Sequence, residues 1–74
     1  MQRTENYQDQ FLNLARRERT PLTVFLVNGF QMRGTLTGFD PFVILLYSDG
    51  RQQMIYKHAV STIVPSTPLR LTQE

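Results

Sequence analysis

Two dipeptides, Asn28-Gly29 and Asp49-Gly50, interrupt a stretch of branched and aromatic residues that runs from Leu22 to Val64. Each is a strong reversal signal, because both central positions of a type I′ turn need positive φ, which Gly, Asn and Asp reach at little cost. Asp40-Pro41 between them reads as a further turn. A chain reversed at these places runs as consecutive antiparallel strands, expected over about 22–27, 30–39, 42–47, 52–56 and 60–64. Gly34 and Gly38 fall inside the second and longest strand, where glycines mark bulges or sharp bends. Short antiparallel strands with such a bend close most readily into a small, strongly curved barrel.

A helix precedes this β region. Asn6 is placed to cap it, and Asp9 sits at the third helical position, where a carboxylate favours the free N–H groups and the dipole. Tyr7, Phe11, Leu14 and Ala15, with Leu12 at the edge, recur at spacings of three and four over about 7–17, giving one apolar face. Arg16 and Arg17 fall in the last turn, and Thr20-Pro21 ends the helix. Residues 1–5 read as a flexible polar arm and 66–74, after Pro65, as a short polar tail.

The chain has 74 residues, 41% of them hydrophobic, and no cysteine. That is enough for a single domain, read here as 6–65, but a chain so short buries only about 60% of its unfolded surface. Without a disulfide or thiolate metal site, oligomerisation is the expected source of extra stability. The edges of a five-stranded, partly open barrel would leave unpaired backbone beside Ile55, Val60, Ile63 and Val64, a liability that pairing with a neighbouring copy removes. Such a contact joins unlike edges, so it repeats head to tail and generates a ring. The N-terminus shows no apolar run of signal or membrane-spanning type, so a cytoplasmic protein without membrane association is expected.

The chemistry-bearing residues cluster at Tyr56-Lys57-His58, where a cation and the sole histidine fall at a turn. On their own residues they have ordinary explanations. His58 and Lys57 read as solvated, Phe25, Phe30 and Phe42 as packing, Met32 as a gap-filler, and Arg16, Arg17 and Arg19 as a basic helix end. No metal-ligand cluster, nucleotide-binding glycine loop or nucleophile pattern accompanies His58, so neither enzyme activity nor a cofactor is expected. A net charge of +2 leans weakly toward a polyanionic partner.

The order Gln8-Asp9-Gln10-Phe11-Leu12-Asn13, Val27-Asn28-Gly29, Gly38-Phe39-Asp40 and Tyr56-Lys57-His58-Ala59-Val60-Ser61-Thr62 resembles Hfq, the bacterial Sm-like (LSm) RNA chaperone family, over about residues 6–65. The resemblance implies an N-terminal helix followed by a five-stranded SH3-like small barrel, the Sm fold, assembled as a homohexameric ring. It also implies RNA as partner, with small regulatory RNAs and mRNAs pairing on the ring in post-transcriptional regulation and stress response, and RNA-processing proteins as further partners. A ring serving mainly as a protein-interaction scaffold is the alternative reading, and a ribonuclease the more distant one.

Carried over residue by residue, the resemblance implies that the helix-bearing face holds U-rich RNA. Phe42 stacks on uracil, Gln8, Lys57 and His58 contact base, sugar or phosphate, and Tyr56 supports the subunit contact. The opposite face takes A-rich or purine-alternating RNA through Phe25, Gly29, Phe30, Gln31, Met32, Arg33, Gln53 and Thr62. The aromatic pair and the Asp49-Gly50 connection resemble the low-GC Gram-positive branch, which favours a two-nucleotide repeat there. Asn13, Arg16, Arg17 and Arg19 match the family's basic rim patch, where guanidinium groups can hold phosphates of two strands at once. Pro41 departs from the polar residue many members carry beside the stacking aromatic, and the uracil contact from that position is not carried over.

Overall fold

The computed structural model describes residues 6–71. The arm over 1–5 and the end of the tail, 72–74, lie outside the described residues. One helix, α1 (Tyr7–Glu18), is followed by β1 (Pro21–Leu26), β2 (Gln31–Phe39), β3 (Val43–Ser48), β4 (Arg51–Tyr56) and β5 (Val60–Pro65). All strand pairs are antiparallel, in the order β4-β3-β2-β1-β5. Lys57–Ala59 forms a single 3₁₀ turn between β4 and β5.

The helix starts where Asn6 accepts the Asp9 N–H at 2.8 Å. It ends one residue beyond the expected limit. Arg19 takes a left-handed conformation with φ 53°, and the N–H groups of Arg19 and Thr20 donate to the carbonyls of Arg16 and Ala15. This is the Schellman arrangement, which satisfies carbonyls that the last turn leaves open. The buried face also differs from the expected one. Leu12, read as an edge residue, is 2% exposed and Tyr7 is 62% exposed, because α1 packs mainly against β2 and turns Leu12 and Ala15 toward it. Leu22, Val24, Leu36, Ile44, Leu46 and Ile55 complete the core from the four strands β1 to β4.

The two dipeptide turns are not alike. Asp49 (φ 51°) and Gly50 (φ 76°) form the expected tight reversal, with Ser48 paired to Arg51. At Asn28-Gly29 only Gly29 has positive φ, at 95°. Here Gly29 N–H donates to Leu26 O, Leu26 N–H to Phe30 O, and Phe30 N–H to Asn28 Oδ1. The connection is a longer loop closed by a left-handed glycine instead of a type I′ pair, because the Asn28 side chain takes up the Phe30 N–H.

Two bulges curl the sheet. Leu36 pairs with Leu46 and Gly38 with Leu45, leaving Thr37 as the extra residue on β2. Phe25 pairs with Thr62 and Leu26 with Val60, leaving Ser61 extra on β5. The first lies between the two glycines that the sequence singles out, and a bulge sharpens the local twist. The last connection is not a hairpin. β5 crosses to pair with β1, so β4 and β5 are the two free edges of the protomer. The tail is also less polar in its role than expected, since Leu69 packs against the core and Ser66 N–H donates to Pro21 O.

Gly34 and Gly38 separate by the space around them. A Cβ at Gly34 would lie 2.5 Å from the Tyr47 carbonyl oxygen, whereas one at Gly38 would meet only Leu45 Cδ1 at 3.6 Å. Gly34→Ala is therefore expected to destabilise by about 2 kcal/mol through forced backbone separation. Gly38→Ala is expected to be neutral within about 0.5 kcal/mol. Urea unfolding of both variants checks the contrast, and equal midpoints would contradict it.

Candidate nucleic-acid interface

The loop between β2 and β3 carries the most exposed large apolar side chain described, Phe42, at 74%. Its position comes from backbone bonding, since a ring so open has little packing to hold it. Asp40 Oδ1 accepts the N–H of Phe42 at 2.8 Å and of Val43 at 2.9 Å. Asp40 N–H donates to Val43 O at 3.0 Å, and Phe42 O accepts the Lys57 N–H at 2.8 Å. The last bond attaches the start of the 3₁₀ turn to the loop.

Three further contacts shape this corner. Lys57 Nζ stands 5.5 Å from the Phe39 ring centroid, a cation–π placement that holds the ammonium over an aromatic face. Tyr56 and His58 stack with centroids 5.6 Å apart and planes 11° off parallel. Val27 N–H donates to Ala59 O at 2.8 Å, so the loop after β1 anchors the far end of the 3₁₀ turn. Hydrogen bonds from Phe42 and Val43 hold the Asp40 carboxyl below its ordinary value, with the Lys57 charge adding in the same direction and desolvation opposing.

Beside Lys57 a groove of about 310 Å³ runs between α1 and β5, lined by Gln8, Phe11, Lys57, Ser61 and Thr62 among others. That volume lies at the lower end of the range of small-molecule sites. The structure thus brings Gln8 and Lys57 together and joins Phe42 to Lys57 through the backbone. His58 is turned onto Tyr56, and Ser61, a bulge residue that the sequence did not single out, enters the groove. A second groove collects Gln31, Met32, Arg33 and Gln53 with Ser48, Asp49 and Arg51. Phe25 is in register with Gln31 and with Thr62, a row across three strands. Thr62 thus lines the first groove and ends this row on β5. Gly29 and Phe30 stand in the loop leading to this row, and Phe30 is 68% exposed.

The basic residues at the end of α1 form a third group. Arg16 Nη2 donates to Asn13 Oδ1 at 2.9 Å, Arg17 follows in the same turn, and the left-handed cap redirects the chain at Arg19. Arg16, Arg17 and Arg19 are all exposed. Among the described residues no group of three or more His, Cys, Asp or Glu could hold a metal ion. Nor, among the described residues, is any helix long and apolar enough to cross a membrane.

The model of the Hfq protein family matches residues 7–70. The chain belongs to the Hfq family. A protein of Moorella thermoacetica named RNA-binding protein Hfq is 58% identical over 69 residues, covering 93% of this chain and 82% of its own. Another of that name, from Anoxybacillus flavithermus, is 57% identical over 74 residues and the full length of both chains. A crystal structure described as the pleiotropic translational regulator Hfq matches with a TM-score of 0.78 at 46% identity, covering 80% of this chain and 98% of that one. The helix followed by five antiparallel strands in a bent sheet is thus the Hfq architecture.

What sequence reading missed at this Hfq-type corner is Asp40 as more than a turn residue, together with Ser61 and with Phe39 beneath Lys57, and in the second groove it missed Arg51. The Asp-Pro signal locates the loop but not the acceptor geometry. A lowered folded-state pKa means that ionised Asp40 contributes stability present above its ordinary value of 3.8 and lost as pH falls through the lower folded value. Asp40→Asn is expected to be less stable than the parent at neutral pH and to converge with it under acid. Urea midpoints measured stepwise from neutral pH to below 3.8 check this, and a constant gap at every pH would contradict it.

Proposed function

We propose that this chain is the protomer of a hexameric RNA chaperone that binds U-rich RNA on the α1-bearing face and A-rich or purine-alternating RNA on the opposite one. It promotes pairing of small RNAs with mRNAs in the cytoplasm. The observation that carries this reading is the pairing of a wide-open aromatic, Phe42, with a cation, Lys57, through one backbone bond, on a chain whose relatives are named RNA-binding proteins. Stacking a base on an aromatic ring contributes about 1–3 kcal/mol, and polar groups at the base edge add preference. Gln8, Lys57 and His58 are the polar groups of the first face, and Tyr56 supports the corner by stacking on His58. Phe25, Gly29, Phe30, Gln31, Met32, Arg33, Gln53 and Thr62 form the second.

Assembly is supported by the two free strand edges. Met54 and Tyr56 on β4 are 54% and 52% exposed and Val64 on β5 is 45% exposed, an apolar load that a solvated edge strand does not normally carry. Joining β4 of one copy to β5 of the next pairs the backbone and covers these side chains. Six copies of +2 concentrate about +12 on one object. Asn13, Arg16, Arg17 and Arg19 then repeat around the rim, where they screen the repulsion between two RNA strands.

On material whose light-scattering mass equals six protomers, Lys57→Ala is expected to weaken oligouridine binding about tenfold and to spare oligoadenosine. Phe30→Ala should do the reverse. Competition between the two ligands, loss of both with either variant, or a monomeric mass would overturn the reading. Replacing Arg16, Arg17 and Arg19 together by Ala is expected to slow annealing of complementary RNA strands at least about tenfold at low salt while static binding falls less. Fluorescence-quenching kinetics of strand pairing checks this, and unchanged rates would remove the rim from the mechanism.

A further inference from the structure

Phe42 presents a problem of order that its own side chain cannot solve. At 74% exposure the ring is held by almost no packing, so the part of its placement that the fold fixes is the Cα–Cβ direction, which the backbone sets. Pro41 supplies no N–H, which leaves Asp40, Phe42 and Val43 as the only backbone donors in the turn. All three are bonded: Asp40 to Val43 O at 3.0 Å, and Phe42 and Val43 to one atom, Asp40 Oδ1, at 2.8 and 2.9 Å. The Phe42 carbonyl in turn holds the Lys57 N–H at 2.8 Å. One carboxylate oxygen therefore closes a chain of bonds that ends on the backbone N–H of Lys57.

We propose that Asp40 is the positioning residue for U-rich RNA. Its Oδ1 fixes the Phe42 backbone and, through the Phe42 carbonyl, the start of the 3₁₀ turn, so that the residues bearing the ring and the ammonium are held at a fixed backbone separation. This rests on the reading of the Phe42–Lys57 corner as the U-rich site. An exposed aromatic on a backbone fixed in advance loses less freedom when a base stacks on it than one on a mobile loop, and affinity rises by that difference. The Asp40 hydrogen bonds, not its charge, are the working element, since a negative charge beside Lys57 opposes an incoming phosphate.

Three variants separate these terms in the assembled protein. Asp40→Ala removes the acceptor, Asp40→Asn keeps an Oδ1 acceptor without charge, and Asp40→Glu keeps the charge but moves the acceptor by one methylene. Affinity for a short oligouridine is expected to fall about tenfold for Ala and for Glu and to stay within about threefold of the parent for Asn. Oligoadenosine affinity and ring mass are expected to be unchanged in all three. Should Asp40→Ala fail to fold, the contrast between Asn and Glu decides. Full oligouridine affinity in Ala and Glu overturns the inference, as does an Asn variant as weak as Ala, or equal loss of both ligands. A parent protein that does not bind oligouridine overturns the functional reading itself, and this inference with it.

Discussion

Because β2 lies at the centre of the order β4-β3-β2-β1-β5, its bend decides where both edge strands end. The bend needs two things at once. The β2 and β3 backbones approach so closely at Gly34 that no Cβ fits against the Tyr47 carbonyl, and Thr37 bulges out of register three residues further along. Together they fold the sheet over Leu36, Ile44 and Leu46, which are at most 2% exposed. The helix covers this concavity with Leu12 and Ala15. A flatter β2 would leave that helix face without a partner and a chain of this length without a core.

The same curvature builds the candidate site. It carries the β2–β3 loop to the end of β4, where the Phe42 carbonyl meets the Lys57 N–H and the Phe39 ring lies beneath the Lys57 ammonium. None of these contacts needs a buried charge. The site is exposed, and its order comes from backbone hydrogen bonds closed by Asp40 Oδ1 and from the Val27 tether to Ala59. Such bonds hold a surface loop where side-chain packing cannot. The ring proposed here would bring a neighbour's edge strand against this corner, multiplying one modest set of contacts around the assembly.

Much of this was legible in the residues. The helix cap at Asn6, the change of period after Thr20-Pro21, the reversal at Asp49-Gly50 and the bend near Gly34 and Gly38 are local events, governed by φ preferences and hydrogen bonds within a few positions. Less legible was anything requiring two distant segments. Leu12 outranks Tyr7 in the core because of where α1 lands on β2, and Asn28-Gly29 forms a longer loop because Asn28 bonds Phe30. β5 leaves its sequence neighbour β4 to pair with β1. Asp40 has only a turn residue's signature until Phe42, Val43 and Lys57 are seen around it.

The sequence by itself determined the elements, the Hfq family and the set of exposed aromatic, cationic and amide side chains available for binding, because these follow from residue type and short-range spacing. Tertiary structure alone decided the grouping: Gln8 with Lys57 and Ser61 in one groove, Gln31 and Gln53 with Arg51 in another, and Phe42 joined to Lys57 through a carbonyl. The physical reason is that each groove joins elements that are not neighbours in the chain, with a geometry set by how sharply the sheet curls. The Phe42–Lys57 bond instead extends the β3–β4 ladder past Val43 and Tyr56 and depends on its register.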